Sequence, residues 1–518
     1  MTLREKILKT FIVTMREINK FGGPEEFFKK YPVGGMYYML REPKNGEDPL
    51  TQNYETGSYL TREKLKICQE AAPYKLLVCA DGAHMVDQTV TMDERVLGSI
   101  SEENAYEYGK TIGMRMNAHK IDWVLGPTID ILFTRLMPLL AISDDPIYSA
   151  KIFKQVIKGI QDQGVCATAK HFPGLGSYFM NMHLAPGTNS LPFDEWMETY
   201  GHVYKEVINE GVQCIMNTHT ALPSYASEFE DGYFPIATYS KKLTTELLKG
   251  KLGFKGAVVT DALIMGGMAT GDIVAETVQA FKAGADLLLW PPMEAADAIE
   301  EAILSGDIPM SRLDDALERI ERMENFRNKA LETHSYDEPD AKYVDKAFTE
   351  ITNKAVCCRR NEVNILPLDK NKIEKILVID AARDSDRNSA KLIKEAIEKR
   401  GIKVDIKRDI FDTISEVCWQ DDIDAEIEGY DYVVFDVNKE IACSWDTSCM
   451  LIWASHMIKQ EKKIIVNFGS PYFAEDYFPN DKTIIDANNG PTPVCVEAIV
   501  SRIFGEEEFV GKSAVKSK

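Results

Sequence analysis

Short runs of apolar residues alternate with helix-length amphipathic stretches along the first two-thirds of the chain. The runs that read as strands are 34–40, 76–81, 123–128, 166–172, 214–219, 256–262 and 285–291. Continuous apolar strands separated by helices indicate a parallel sheet that is covered on both faces. Seven or eight such units in the first ~320 residues fit a TIM-type (β/α) barrel better than an open sheet. Between two of them, residues 240–252 have helical periodicity, with Ser240 as the candidate N-cap.

The alternating pattern restarts after a polar stretch. Strand-like runs occupy residues 375–381, 403–409, 431–437, 463–469 and 483–488, with helical stretches such as 389–401 between them. This predicts an open, flavodoxin-like α/β sandwich domain after the barrel. We therefore predict a barrel domain over residues 1–330, a linker over 331–346 and the sandwich domain over 347–518. The sequence contains neither G-x-G-x-x-G nor G-x-x-x-x-G-K-S/T, the two glycine-rich motifs that bind nucleotide phosphates, so we expect no nucleotide cofactor.

Composition and charge narrow the class of protein. Of the 518 residues, 45% are hydrophobic and 27% charged, as in soluble globular proteins. The formal net charge of −21 disfavours nucleic acid and anionic membranes as partners. The chain lacks an apolar run of membrane-spanning length and a secretory signal, which predicts a cytoplasmic location. The ten cysteines form no CxxC pair and no metal-spaced cluster, so we expect reduced thiols and no bound metal.

Polar residues recur where the predicted barrel strands end. Asp81, the pair Lys170 and His171, His219 and Asp261 each close a different apolar run. One such residue is usually a turn or a helix cap. In a barrel, however, the carboxyl ends of the strands meet at the face where catalytic groups lie. Asp261 stands between two apolar segments, which favours a nucleophile or base in a pocket and leaves a helix N-cap as the alternative.

Several segments resemble glycoside hydrolase family 3. The sequence KHFPGLGSYFMNMH (170–183) is similar to that family's Lys-His-Phe-Pro-Gly loop, and 234–268 resembles its nucleophile region. The similarity continues at 283–291 and, in the second domain, at 361–369, 470–472 and 504–512. The resemblance implies a retaining, exo-acting β-glycosidase of the two-domain, β-N-acetylglucosaminidase-like branch, with a small carbohydrate as substrate.

The resemblance also implies roles for individual residues. Asp261 matches the nucleophile and His183 the acid/base, while Asp81, Lys170 and His171 match residues that hold sugar hydroxyls. His219 joins the predicted substrate-binding set because it closes a barrel strand. A retaining mechanism needs one group to attack the anomeric carbon and another to protonate the leaving oxygen. A histidine suits the second role because its ordinary pKa lies near neutral pH.

The chain departs from the family pattern at four places, one of which is the absence of the basic residues expected after Asp81, and leaves two alternatives open. Asn181 replaces an aspartate, Leu175 replaces a histidine, and the arginine expected before Asp145 is missing. One alternative is a β-glucosidase-type hydrolase whose acid/base comes from the second domain, with Glu440 or Asp446 as candidates. The other is a catalytically impaired, sugar-binding homologue, since function depends on the site and not on the fold.

The loop before His183 is unusually apolar. It contains Tyr178, Phe179, Met180 and Met182. Such a loop contacts a hydrophobic aglycone, packs against a neighbour or forms part of a repacked core, and the last is the usual meaning of clustered Met and aromatic residues.

Overall fold

The chain folds into two compact units. The computed structural model describes residues 1–38, 58–81, 94–131, 141–176, 182–228, 234–268, 271–332, 341–381, 388–407, 420–438 and 455–515. The first unit comprises Met1–Val86, Glu102–Thr134 and Asp145–Val344, and the second comprises Asp87–Ser101, Arg135–Asp144 and Asp345–Lys518. A helix, Ala341–Ala355, begins inside the segment expected to be a linker. The domain boundaries drawn from the sequence stay a prediction.

The first unit is a parallel barrel. Its strands are β1 Phe11–Thr14, β2 Gly35–Tyr37, β3 Leu77–Asp81, β4 Trp123–Leu125, β5 Cys166–Phe172, β6 Gly187–Thr188, β7 Cys214–Asn217, β8 Thr220–Ala221, β9 Ala257–Thr260 and β10 Leu288–Leu289. Within the described part of the chain, eight of them form one sheet in the order β10-β1-β2-β3-β4-β5-β7-β9, while β6 pairs with β8. A parallel bridge between Val259 and Leu287 joins the two ends of the sheet. The predicted (β/α) barrel is confirmed.

Helices follow or precede most of these strands. They are Leu3–Leu8, Met15–Lys20, Pro24–Lys30, Ser58–Ala71, Glu102–Ala118, Pro146–Asp162, Phe193–Glu198, Tyr200–Asn209, Ile273–Ala283, Ala295–Leu304 and Met310–Leu331. The helix predicted over 240–252 is present as a π-helix, Lys242–Lys251. Ser240 Oγ accepts a hydrogen bond from the Leu243 N–H at 3.2 Å, which is the contact expected of a cap.

Buried apolar side chains fill the inside of the barrel. The cluster includes Ile12, Leu77, Trp123, Met216 and Val259, each at most 2% exposed. Because the interior is packed, the strands cannot hold a ligand within the barrel, and reactive side chains are confined to the strand ends.

The second unit is an open sheet with one antiparallel edge. Its strands are β11 Cys357–Asn361, β12 Lys375–Asp380, β13 Lys403–Lys407, β14 Tyr432–Val437, β15 Lys463–Asn467 and β16 Thr483–Asp486. In the part of this unit that the structure describes, they run β11-β16-β15-β14-β12-β13, and β11 alone is antiparallel to its neighbour. The helices are Ser389–Glu398, Gln420–Glu426, Pro471–Tyr477 and Pro493–Ile503, with single 3₁₀ turns at Glu94–Ser99, Lys370–Lys372 and Gln460–Lys462. The flavodoxin-like prediction is confirmed.

Two further sequence expectations concern thiols and membrane spans. The described cysteines are all unbridged, and burial raises the pKa of Cys357 to about 12, which keeps that thiol protonated. Among the described helices, none is long and apolar enough to cross a bilayer.

Candidate active site

Asp261 stands at the carboxyl end of β9. The strand is wholly buried, and its pairing with β7 continues one step further because the Asp261 N–H donates to Asn217 O at 2.8 Å. That register sets Thr218 beside Asp261, and the Thr218 hydroxyl donates to Asp261 Oδ2 at 2.8 Å. The other carboxylate oxygen accepts from the Ala262 N–H at 2.8 Å. Asp261 is therefore fixed by two donors, at the barrel face where catalytic groups lie.

Charges and hydrogen bonds keep this buried carboxyl ionised. Asp261 is only 9% exposed, and burial by itself raises its pKa. Electrostatic interactions with the neighbouring rings of His171 and His219, and the hydrogen bonds from Thr218 and Ala262, act in the opposite direction and prevail, so the pKa of Asp261 lies below its ordinary value. The group is an anion across the neutral and mildly acidic range, as a nucleophile must be.

The lowered pKa of Asp261 predicts a pH profile. With a 2,4-dinitrophenyl glycoside, whose leaving group needs no acid, kcat/KM should stay within about twofold between pH 7 and pH 5, since an ordinary Asp has a pKa of about 3.9. Ionised Asp261 also stabilises the fold above about pH 4, and that stability is lost as pH falls through the lower folded-state pKa. Initial rates, with circular dichroism at each pH, check this. A midpoint above pH 5 in a folded sample contradicts it.

Lys170 on β5 and Asp81 on β3 form an ion pair across the intervening strand β4. Lys170 Nζ lies 2.8 Å from Asp81 Oδ1, and the Tyr37 hydroxyl donates to Asp81 Oδ2 at 3.0 Å. Burial and the adjacent carboxylate of Asp81 raise the pKa of Tyr37 well above its usual range, so its hydroxyl keeps its proton. The side chain of Asp81 is 44% exposed and that of Lys170 is 11% exposed. The pair therefore presents an acceptor and a donor to a polyhydroxylated ligand.

His171 is oriented by a carboxylate that the sequence analysis did not single out. Asp130 Oδ2 accepts from the His171 backbone N–H at 3.1 Å and lies 2.9 Å from the His171 Nδ1. Asp130 Oδ1 accepts from the Leu175 N–H at 2.9 Å. A carboxylate at Nδ1 holds the proton there and fixes the ring, which leaves Nε2 as the atom for a ligand. Leu175 thus serves the site through its backbone.

His219 is placed differently from the prediction. The ring is fully buried, its Nδ1 lies 2.9 Å from the Thr238 hydroxyl, and its Nε2 lies 3.2 Å from Ala262 O. Burial lowers the pKa of His219, so the neutral ring donates from Nε2 and accepts at Nδ1. Both nitrogens already have protein partners, which supports a role in bracing the segment after Asp261. A direct contact between His219 and substrate stays a prediction that this placement does not favour.

His183 lies on a segment that packs against the loop after Asp261. The Gly266 N–H donates to His183 O at 2.9 Å, and a Cβ atom on Gly267 would lie 2.4 Å from Met182 O. The imidazole is exposed, while Met182 is 1% exposed and its sulfur lies 2.9 Å from the Thr218 hydroxyl. Met182 therefore packs inside the protein and is not available to contact an aglycone. His183 therefore lies beside the segment that follows Asp261, and its acid/base role stays a prediction.

The structure thus places the predicted residues at one end of the barrel. Some residues on which the alternatives depend lie outside the described part of the chain; they are Asn181, Tyr178, Phe179, Met180, Glu440 and Asp446. Asp145, near the missing arginine, caps the helix Pro146–Asp162 by accepting from Ile147 N at 2.9 Å.

Three supporting residues were missed from the sequence: Asp130, Thr218 and Tyr37. Each follows or lies within an apolar run that was recognised, but none is the charged residue that closes it. Asp130 lies five residues past the end of β4, and Thr218 precedes His219 directly. Only the register of neighbouring strands shows that these side chains meet His171 and Asp261.

Known proteins are similar to this chain over much of its length. Residues 2–323 match the model of the glycosyl hydrolase family 3 N-terminal domain. A β-N-acetylglucosaminidase/β-glucosidase of Cellulomonas fimi is 25% identical over 482 residues, covering 86% of this chain and 84% of that protein. A β-hexosaminidase of Methylobacillus flagellatus is 27% identical over 240 residues, covering 46% of this chain and 65% of that protein.

Solved structures share the fold of the whole chain. A family 3 β-N-acetylglucosaminidase of Paenibacillus sp. gives a TM-score of 0.82 at 23% identity and covers 100% of this chain and 99% of that one. The β-glucoside phosphorylase BglX gives 0.83 at 21% identity, with 100% and 94% covered. Because the family model spans well over half of the sequence, the chain belongs to glycosyl hydrolase family 3 and is a glycoside hydrolase.

Proposed function

We propose that the chain is a retaining, exo-acting β-N-acetylhexosaminidase that uses Asp261 as its nucleophile. The observation that carries the proposal is the position of the Asp261 carboxylate at the carboxyl end of β9, where Thr218 and Ala262 donate hydrogen bonds to it. The sugar is inferred from relatives named β-N-acetylglucosaminidase and β-hexosaminidase.

The proposed reaction has two displacements. Asp261 attacks the anomeric carbon, the bond to the leaving oxygen breaks, and that oxygen takes a proton from His183. In the second step His183 removes a proton from water, whose oxygen attacks the same carbon and releases Asp261. The Thr218 and Ala262 donors orient the carboxylate without protonating it. Two inversions return the sugar with its original β configuration.

The remaining residues bind and orient the sugar in this proposal. Lys170 and Asp81 bridge adjacent sugar hydroxyls as donor and acceptor, because their ion pair is only partly buried. His171, fixed by Asp130, offers Nε2 beside Asp261. Such contacts hold the anomeric carbon near the nucleophile and lower the entropy to be lost at the transition state.

A comparison of two substrates tests the sugar. The p-nitrophenyl β-N-acetylglucosaminide and β-glucoside are assayed with and without phosphate, because a structural neighbour is named a phosphorylase. We expect nitrophenol release at least tenfold faster from the N-acetylglucosaminide, with free β-N-acetylglucosamine as product. Faster release from the glucoside supports the β-glucosidase alternative. A sugar phosphate product would show that phosphate, and not water, attacks the glycosyl-enzyme in the second step. Binding without turnover above an Asp261→Asn control supports the sugar-binding alternative.

His183→Ala tests the acid/base role. If His183 protonates the leaving oxygen, kcat/KM should fall about 100-fold or more for a methyl glycoside and less than about tenfold for a dinitrophenyl glycoside. His202→Ala, on the helix Tyr200–Asn209, is the matched control and should leave both rates unchanged. Equal losses for the two leaving groups in His183→Ala argue against the role.

A further inference from the structure

Two large apolar side chains are exposed on the segments that border Asp261. Leu184 is 74% exposed and Ile264 is 62% exposed. Single exposed apolar residues are ordinary on a protein surface, but two on adjoining segments next to Asp261 are placed where they could contact an apolar ligand.

The two segments are held together by close backbone contacts. The Gly266 N–H donates to His183 O at 2.9 Å, and a Cβ atom on Gly266 would lie 2.8 Å from Leu184 O. A side chain at this position would therefore push the segments apart. Leu184 follows the proposed acid directly, and Ile264 lies three residues after Asp261, so both are close in sequence to the two proposed catalytic residues.

The chemistry of these segments is unsuited to a second sugar. Residues 262–268 read ALIMGGM and residues 184–187 read LAPG, without a hydroxyl, amide or charged side chain. A sugar in the leaving-group position would lose water from its hydroxyls and find no side-chain partner on these two segments, which is unfavourable. An alkyl or aryl group loses only contact with water, which is favourable.

We propose that Leu184 and Ile264 form a platform that binds an apolar aglycone, so that the preferred substrates are alkyl or aryl glycosides. The proposal rests on the function assigned to Asp261 and His183 and adds the class of leaving group. By microscopic reversibility, the platform also binds an alcohol that replaces water in the second step. The alcohol oxygen attacks the anomeric carbon, the bond between that carbon and Asp261 breaks, and the alcohol proton passes to His183.

A series of alkanols used as acceptors tests whether the platform binds alkyl groups, while the leaving group of the donor stays the same. With p-nitrophenyl β-N-acetylglucosaminide as donor, we measure the ratio of alkyl glycoside to free sugar per mole of alcohol. This ratio should rise about twofold for each methylene from ethanol to pentanol, which corresponds to about half of the free energy of fully burying a methylene group. Leu184→Ser and Ile264→Ser should flatten this rise. Leu304→Ser, with the same 74% exposure, and Ile67→Ser, at 53%, are matched controls that should preserve it.

The outcomes separate the inference from the proposed function. Nitrophenol release with a flat chain-length series overturns the platform and leaves the glycosidase intact, as does equal flattening in Leu304→Ser. If no donor turns over, calorimetry of alkyl β-N-acetylglucosaminides and β-glucosides on Asp261→Asn decides. The platform is supported if affinity increases with alkyl chain length in Asp261→Asn and increases less in the double variant Asp261→Asn/Leu184→Ser. Affinity that does not depend on chain length, or no binding, contradicts the platform.

Discussion

Replacing Asp261 with asparagine is expected to lower kcat/KM by about 10⁴-fold or more, because the amide cannot form the glycosyl ester and loss of a nucleophile costs rates of this order. The substitution keeps the shape of the side chain and its acceptor for Thr218. Circular dichroism should therefore match that of the parent protein, while the melting temperature should fall modestly, because the amide offers one acceptor to the two donors, Thr218 and Ala262. Initial rates with p-nitrophenyl β-N-acetylglucosaminide measure the loss.

Asp297→Asn is the control for that substitution. Its carboxylate is 70% exposed and pairs with Arg4, so loss of the charge should change kcat/KM less than twofold. Azide added to Asp261→Ala should restore turnover and give the α-glycosyl azide, since the small anion occupies the space of the carboxylate. Retention of more than about 1% of the activity in Asp261→Asn, with the fold intact, contradicts a nucleophilic role.

Lys170→Met carries the second largest expected effect. If a bound sugar covers this partly exposed pair, removal of Lys170 leaves a buried, unpaired charge, which typically costs about 3–5 kcal/mol, or about 10²- to 10⁴-fold in kcat/KM. Methionine keeps the length of the stem but leaves Asp81 with only the Tyr37 hydroxyl among the contacts described above. We expect a large share of the loss in kcat, because hydroxyl contacts strengthen in the transition state.

A surface ion pair supplies the comparison for Lys170. Lys154 Nζ lies 3.0 Å from Glu206 Oε2, with both side chains about one-third exposed, and such pairs contribute little. Lys154→Met should therefore leave kcat/KM unchanged. If Lys170→Met loses thermal stability but keeps its rate per folded molecule, the Lys170–Asp81 pair is structural and does not bind the sugar.

The sequence predicted the parts of this molecule that follow from local pattern. Buried parallel strands read as continuous apolar runs, so seven of the eight barrel strands were recognised. Strand β1 was missed because its four residues lie within a charged amphipathic stretch. Strand β11 was missed because it is a polar edge strand, Cys357–Asn361, whose pairing with β16 is not a local property.

The site residues likewise include some that the sequence revealed and some that it did not. Asp81, Lys170 and Asp261 were found because a charged residue that ends an apolar strand is conspicuous. Asp130 and Thr218 were missed because their contacts with His171 and Asp261 depend on strand register across the sheet. His219 looked like a ligand from its position, but a strand end also accommodates a neutral, fully bonded ring. Side-chain partners, not side-chain types, decide such cases.

Covalent trapping tests the central claim most directly. A 5-fluoro-N-acetylglucosaminyl fluoride slows both displacements, and its good leaving group lets the first outpace the second, so the glycosyl-enzyme accumulates. Peptide mass spectrometry should then find one added sugar on the peptide that contains Asp261, absent from Asp261→Asn. A sugar attached to another residue, or steady turnover of the probe without any adduct, would contradict the account.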